Sequence, residues 1–354
     1  MTFCRSQWLH DPPPCDRRVS LNSPAWSTRI PRSSAARLFG RAGKGDQMAR
    51  DWESSFTFWA QSPSKTEEER CERVIKAIRA AVAASPKLQQ RNIKVFTQGS
   101  FRNRVNVRRD SDVDVGVMLY DYFLVQYPDG KGNADFGNRD VENYGFAQFK
   151  NELGAALVAH FGRDTVTRGN KAFDIKAPYS QVEADVVPLW EFRQYWELGR
   201  YRAGVALLPD SGGEPIENYP ERLIESWPAT PLHYENGKAK NDETSRRYRA
   251  MVRILKSVRI ELEAASNPAA SIPGYLVECL VWNAPNSCFV HGTWDERVQS
   301  VLRFLWNNVK DSNLCDKWCE VDAIKFLFYF KQPWTREKAH AFVDAAWDHV
   351  GVRK

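Results

Sequence analysis

No stretch of this sequence approaches the roughly 18 consecutive apolar residues that a bilayer-crossing helix needs. The densest run, Ala323 to Phe330, is broken by Lys325. The N-terminus carries no apolar core of the secretory kind. These absences exclude a helical membrane protein and a secreted one, and the expectation is a soluble, cytoplasmic chain. Histidine is scarce, with six in 354 residues and no His-x-x-x-His pair. Seven cysteines are an odd number without a secretion signal, so they read as reduced thiols. Cys288, His291, Cys315 and Cys319 are conceivable zinc ligands, but their two pairs fit no standard zinc spacing. Internal repeats and coiled-coil heptads are also missing.

Excess charge is missing where it would matter. The formal charge is +6, but residues 1–47 hold eight basic against three acidic residues, a net of +5. The rest of the chain carries +1, so net charge gives no case for nucleic-acid binding. What is abundant is core material: 43% hydrophobic and 12% aromatic residues, ample for a sizeable packed interior.

Residues 1–47 are rich in Pro, Ser and Arg and lack periodicity. They read as a disordered leader or as a mis-assigned start ahead of Met48. Gly40 to Gly45 fails the phosphate-loop spacing. From Thr66 a helix is expected, with Thr66 and Glu69 as a capping box and Cys71, Val74, Ile75, Ile78, Ala81 and Val82 as its apolar stripe. Ser85-Pro86 ends it. Strand-like runs follow at Ile93–Thr97, Val113–Leu119, Thr165–Thr167, Ala172–Ile175 and Val182–Leu189, with a helix at Phe146–Phe161 and a surface loop over 127–140. After Pro231 the pattern turns helical: Thr244–Ala265, Gly274–Asn283, Trp294–Val309, Lys317–Phe330 and Thr335–Val350. The plan is α+β, with a mixed-sheet lobe over 48–230 and a helical lobe over 231–354.

The strongest local signal runs from Phe96 to Val117. A strand ends at Gln98-Gly99-Ser100, and twelve residues after Ser100 come Asp112-Val113-Asp114. Side chains alternate along a strand, so Asp112 and Asp114 share a face. Two carboxylates on one face repel unless a cation lies between them. Magnesium supplies that charge, takes oxygen ligands and keeps positions for water and phosphate. A third carboxylate comes from the strand-like run Val182 to Pro188 as Asp185, with Glu183 on the same face as the fallback. Such a set activates an attacking hydroxyl and stabilises a leaving oxygen in phosphoryl transfer. Gly99 lets the backbone approach an anion, and Ser100 adds a hydroxyl and an N–H. A lone Asp-x-Asp is usually solvated surface. Here the apolar flanks, the Gly-Ser turn and the second acidic strand together point to nucleotidyl transfer.

These residues resemble the DNA polymerase β-type nucleotidyltransferases, whose signature is Gly-Ser, about ten residues, an acidic-apolar-acidic triplet and a later acidic strand. Within them, the chain over about 50–350 is most similar to the cGAS/DncV-like nucleotidyltransferases. The segments Pro231 to Asn236, Arg246 to Arg249 and Arg253 to Lys256 resemble that family's long spine helix. The resemblance gives Lys256 the donor triphosphate as partner. Ile272 to Glu278 resembles the segment whose aromatic stacks on a base, which falls on Tyr275. The family's neighbouring Ser is Gly274 here, with Ser271 as a substitute. Pro333 to Glu337 and Ala341 to Trp347 resemble a C-terminal packing helix.

The resemblance implies two lobes with the active site in the cleft between them. Asp112, Asp114 and Asp185 would hold magnesium, with manganese as a substitute. Gln98, Gly99, Ser100, Lys256 and Tyr275 would bind nucleotide. The substrates would be ATP and GTP, and the product a cyclic oligonucleotide, either a dinucleotide, expected to be purine, or a trinucleotide, that activates a product-sensing effector protein in anti-phage signalling. The alternative is a template-independent enzyme making linear oligonucleotides or extending RNA ends. It would favour a basic face that the near-neutral body does not supply.

Overall fold

The computed structural model describes residues 50–108, 112–139, 144–177, 182–213, 215–218, 232–323, 326–329 and 332–351. The leader 1–47 lies outside them. Helices α1 (Trp52–Ala60) and α2 (Lys65–Ala84) come first, followed by β1 (Ile93–Gln98), α3 (Gly99–Asn103) and β2 (Val113–Gln126). Then come α4 (Phe146–Phe161), β3 (Val166–Arg168), β4 (Phe173–Ala177), β5 (Val182–Glu197), β6 (Arg200–Leu207) and β7 (Ile216–Asn218). The remainder is helical: α5 (Leu232–Glu243), α6 (Arg247–Ala264), α7 (Gly274–Asn283), α8 (Trp294–Val309), α9 (Ser312–Cys315) and α10 (Arg336–His349).

The seven strands form one sheet in the order β1-β2-β5-β4-β3, with β6 on β5 and β7 on β6. Among the described strands only β2 and β5 pair in parallel. That pairing demands a crossover, which α4 and the β3–β4 hairpin provide. Strand alternation then sorts the side chains. Val113, Val115, Val117, Ala184, Val186, Phe173 and Ile175 are buried in one core with the apolar stripes of α2 and α4. Their neighbours Asp114, Asp185 and Asp174 are only half-buried.

A second core gathers α6, α7, α8 and α10. Its spine is α6, where every residue from Ala250 to Val258 is buried, as expected of a helix packed all round. Phe56 of α1 is fully buried in this same core, although α1 precedes the sheet in sequence. Glu53 of α1 also accepts from the backbone N–H groups of Trp294 and Asp295 at 3.0 and 2.8 Å, and so caps α8. From α6 the helical core also reaches the C-terminal ends of α1 and α3. Arg253 donates to the carbonyls of Ala60 (2.6 and 3.0 Å) and Arg104 (2.9 Å).

Three local expectations are corrected. The capping box of α2 is Ser64 with Glu67, which places Thr66 inside the helix. The expected helix Thr244–Ala265 begins only at Arg247, because Ser245 and Arg246 take left-handed φ values of 51° and 66° and break it from α5. The expected helix Lys317–Phe330 is absent from its described residues. These form turns and one antiparallel bridge, Cys319 to Phe326. Asn283 holds both backbone groups of Cys319, accepting at 3.1 Å and donating at 2.7 Å, which competes with helical bonding. The sequence patterns also missed α1, α5, β6 and β7 and ended β2 and β5 too early.

Candidate active site

Strand register assembles the site. Gln98 at the end of β1 pairs with Asp114, Asp114 pairs with Asp185 across the parallel β2–β5 seam, and Asp185 pairs with Asp174 on β4. Residues paired directly across strands point to the same face. Three carboxylates and an amide therefore form one polar row on the sheet face away from α2 and α4. Asp112 precedes the first residue of β2 and is exposed. Glu183 is engaged by Lys176 at 3.1 Å, so Asp185 rather than the fallback stands in the row. Asp174 was missed from sequence. Its flanks Phe173 and Ile175 showed which face it takes, but register alone brings it beside Asp185.

The turn after β1 fits closely against this row. Gly99 has φ +68°, and a Cβ there would overlap Oδ2 of Asp114 and come within 2.8 Å of its Cγ. Glycine is therefore required twice, for its backbone and for the space. Ser100 follows in α3, half-buried. Nε2 of Gln98 is buried with no hydrogen-bond partner.

From the helical side comes Lys256, 8% exposed. Its Nζ lies 3.4 Å from the carbonyl of Val105 and 3.8 Å from Oε2 of Glu278. Burial pushes this ammonium below its ordinary value, while Glu278 and, more weakly, Asp114 favour its charge. Glu278 also binds Nε2 of His233 at 2.7 Å. Tyr275, at the start of α7, donates its hydroxyl to Glu320 at 2.9 Å, and its ring lies 5.5 Å from that of His233 and 6.0 Å from that of Trp334. A Cβ on Gly274 would stand 3.5 Å from Cε of Lys256, so the small residue sits directly against the lysine stem. Ser271 is exposed, and its N–H is tied to Pro268.

The donor set fits a hard divalent cation. It is all carboxylate oxygen, on adjacent strands, with a glycine turn pressed against one member. Among the described residues no three His, Cys, Asp or Glu side chains already converge on one point, so an ion would draw these carboxylates together. The same observation leaves Cys288, His291, Cys315 and Cys319 without a metal cluster. Cys288 and Cys315 are buried free thiols whose pKa burial raises. No described helix is long and apolar enough to cross a membrane.

Residues 235–351 match the cGAS/DncV-like nucleotidyltransferase C-terminal helical domain. Cyclic dipyrimidine nucleotide synthases from Cecembia lonarensis and Legionella pneumophila are 34% and 36% identical, each over 86% of this chain and 99% of their own length. A cyclic dipurine nucleotide synthase from Elizabethkingia meningoseptica is 32% identical over 83% of this chain and 97% of its own. Among solved structures, the Rhodothermus marinus CdnE c-UMP-AMP synthase, with Apcpp and Upnpp, superposes with a TM-score of 0.68 at 29% identity. It covers 85% of this chain and 98% of that one.

Proposed function

This chain belongs to the cGAS/DncV-like nucleotidyltransferases, and from that premise we propose that it joins two nucleoside triphosphates into a cyclic dinucleotide. The observation that most supports this is the row Asp114–Asp185 seated against Gly99, with Lys256 entering from the helical side. In each of two rounds a ribose hydroxyl oxygen bonds to an α-phosphorus, the bond to pyrophosphate breaks, and the hydroxyl proton is lost. Bound magnesium, or manganese, would supply charge neutralisation for the phosphates and acidify the attacking hydroxyl. Asp112, Asp114 and Asp185 would hold it.

The remaining residues position the nucleotides. Gly99 brings backbone close to the phosphates and Ser100 offers a donor beside it. Lys256, facing Glu278 at 3.8 Å, offers its ammonium to the triphosphate of the donor nucleotide. Tyr275 would stack a base with its ring, the hydroxyl being held by Glu320. We take a pyrimidine-containing product ahead of the purine one expected from sequence. Relatives at 34% and 36% identity are dipyrimidine synthases, and one solved relative is a c-UMP-AMP synthase. A second-messenger role in anti-phage signalling, in the cytoplasm and through a product-sensing effector, belongs to the same proposal.

The test is incubation of the purified chain with labelled ATP, GTP, CTP and UTP in all pairs, with magnesium or manganese. Phosphatase treatment and mass spectrometry follow. A phosphatase-resistant cyclic mass containing U or C is expected. Linear ladders alone, or product only with added RNA, would overturn the cyclic reading. Purine-only cyclic product would overturn the choice of base.

A further inference from the structure

Beyond Lys256, two more cations stand on the elements that carry the site. Arg102 lies on α3, three residues past Gly99. Arg249 lies on α6, seven residues before Lys256 and therefore on the same helical face, about 10 Å along the axis. Both guanidiniums stand over one ring, that of Tyr234 on α5, at 4.9 and 5.1 Å from its centroid. Their carbons are thus no more than about 10 Å apart.

Neither arginine forms an ion pair with a carboxylate among the described residues. Nε and Nη2 of Arg249 are buried and have no hydrogen-bond partner. Glu278 feels the charge of Arg249 but already binds His233 at 2.7 Å and faces Lys256 at 3.8 Å. Burial does not neutralise a guanidinium as it can a lysine, because arginine stays protonated. Buried charged donors left unmade are costly, and a planar fork of N–H groups matches phosphate oxygens. An aromatic ring under two cations offsets part of their charge but offers no acceptor for those N–H groups.

We propose that Arg102 and Arg249, braced on Tyr234, form a polyphosphate-binding clamp. It would take the terminal phosphates of a nucleoside triphosphate whose α-phosphate lies at Asp114. This rests on reading Gly99–Ser100 as the phosphate turn. The clamp divides the triphosphate along its length: Lys256 and the turn hold the reacting end, and the two arginines hold the departing end, each end gripped by one group from α3 and one from α6. Tyr234 keeps the guanidiniums apart and oriented before the anion arrives.

Inorganic tripolyphosphate is the probe, its binding to the full chain measured calorimetrically. Arg249→Met and Arg102→Met should each raise its Kd at least about tenfold, the loss of one charge-assisted contact. Arg303→Met, at an exposed position of α8, should leave it unchanged. Arg249→Lys keeps a charge without the fork and should fall between. It also guards against misfolding of the Met variant, which thermal melting would reveal. Equal Kd values across wild type, Arg249→Lys and Arg102→Met would overturn the clamp. Two sources of the anion are separable in turnover: a raised KM for nucleotide marks the substrate tail, and an unchanged KM with weaker pyrophosphate inhibition marks the product. Asp114→Ala should retain tripolyphosphate binding while making no product. The clamp and the proposed synthesis therefore stand or fall separately.

Discussion

A Cβ on Gly99 would occupy the space that Oδ2 of Asp114 already fills. The turn that handles phosphate and the carboxylate that handles the cation are thus packed into one unit, and neither shifts without the other. Gly99→Ala should abolish nucleotidyl transfer. The added methyl must displace Asp114 or the turn, and φ +68° is strained for alanine. Thermal melting should show a modest loss, about 1–2 kcal/mol, since the site lies at the edge of the sheet core. Ordinary activity in a folded Gly99→Ala protein would remove the turn from the site.

Asp114 and Asp185 stand side by side across the parallel seam, with Asp174 next in the row. Neighbouring carboxylates disfavour one another's charge. Asp114→Asn and Asp185→Asn should therefore each eliminate product while leaving the melting temperature equal or higher. In wild type, added magnesium should raise the melting temperature, and in either variant that rise should shrink. A variant that keeps its magnesium response has been assigned the wrong role.

The His233–Glu278 pair gives stability a pH window. Burial pushes the Glu278 carboxyl up, but His233, Lys256 and Arg249 outweigh it and hold it below its ordinary 4.5. Burial pushes His233 down, but Glu278 outweighs it and lifts the imidazole above 6.5. The carboxylate's contribution is present above pH 4.5 and lost as pH falls through its depressed folded value. The imidazolium's is present below pH 6.5 and lost as pH rises through its raised folded value. The penalty of His233→Gln, read as a difference in melting temperature, should be largest near pH 5.5 and shrink toward pH 9. A penalty independent of pH would mean that the pair is not ionic.

Lys150 on α4 is fully buried, with Asp210 at 3.0 Å and the carbonyls of Gly169 and Asn170 at 3.1 and 2.8 Å. Asp210→Ala leaves that ammonium with two neutral partners and also frees Arg168, which binds the same carboxylate at 2.8 and 2.9 Å. Chemical denaturation should show a loss of about 1–3 kcal/mol. Catalysis should persist at temperatures where the variant is folded, because Lys150 packs over Phe173 on the core face of the sheet, opposite the aspartate row.

The local elements and the face taken by Asp114 and Asp185 were readable because they depend on short-range pattern, whereas Asp112, expected on the same strand face, lies exposed ahead of β2. Alternating apolar residues on β2 and β5 declared which face Asp114 and Asp185 take, and the helical stripe of α2 fixed its core side. The boundaries of α4, α7 and α8 followed for the same reason. The non-helical 317–323 and 326–329 did not, because its apolar residues pack from turns that Asn283 holds from another helix. Asp174, the break between α5 and α6, and the seating of α1 in the helical core are likewise products of distant contacts. Sequence determined which residues are acidic, which face they take and where a glycine turn precedes them. Only tertiary structure decided which strands lie side by side, and hence that Gln98, Asp114, Asp185 and Asp174 form one row. Strand register is fixed by pairing between residues as far apart as Asp114 and Asp185, about 70 positions, which no local period encodes.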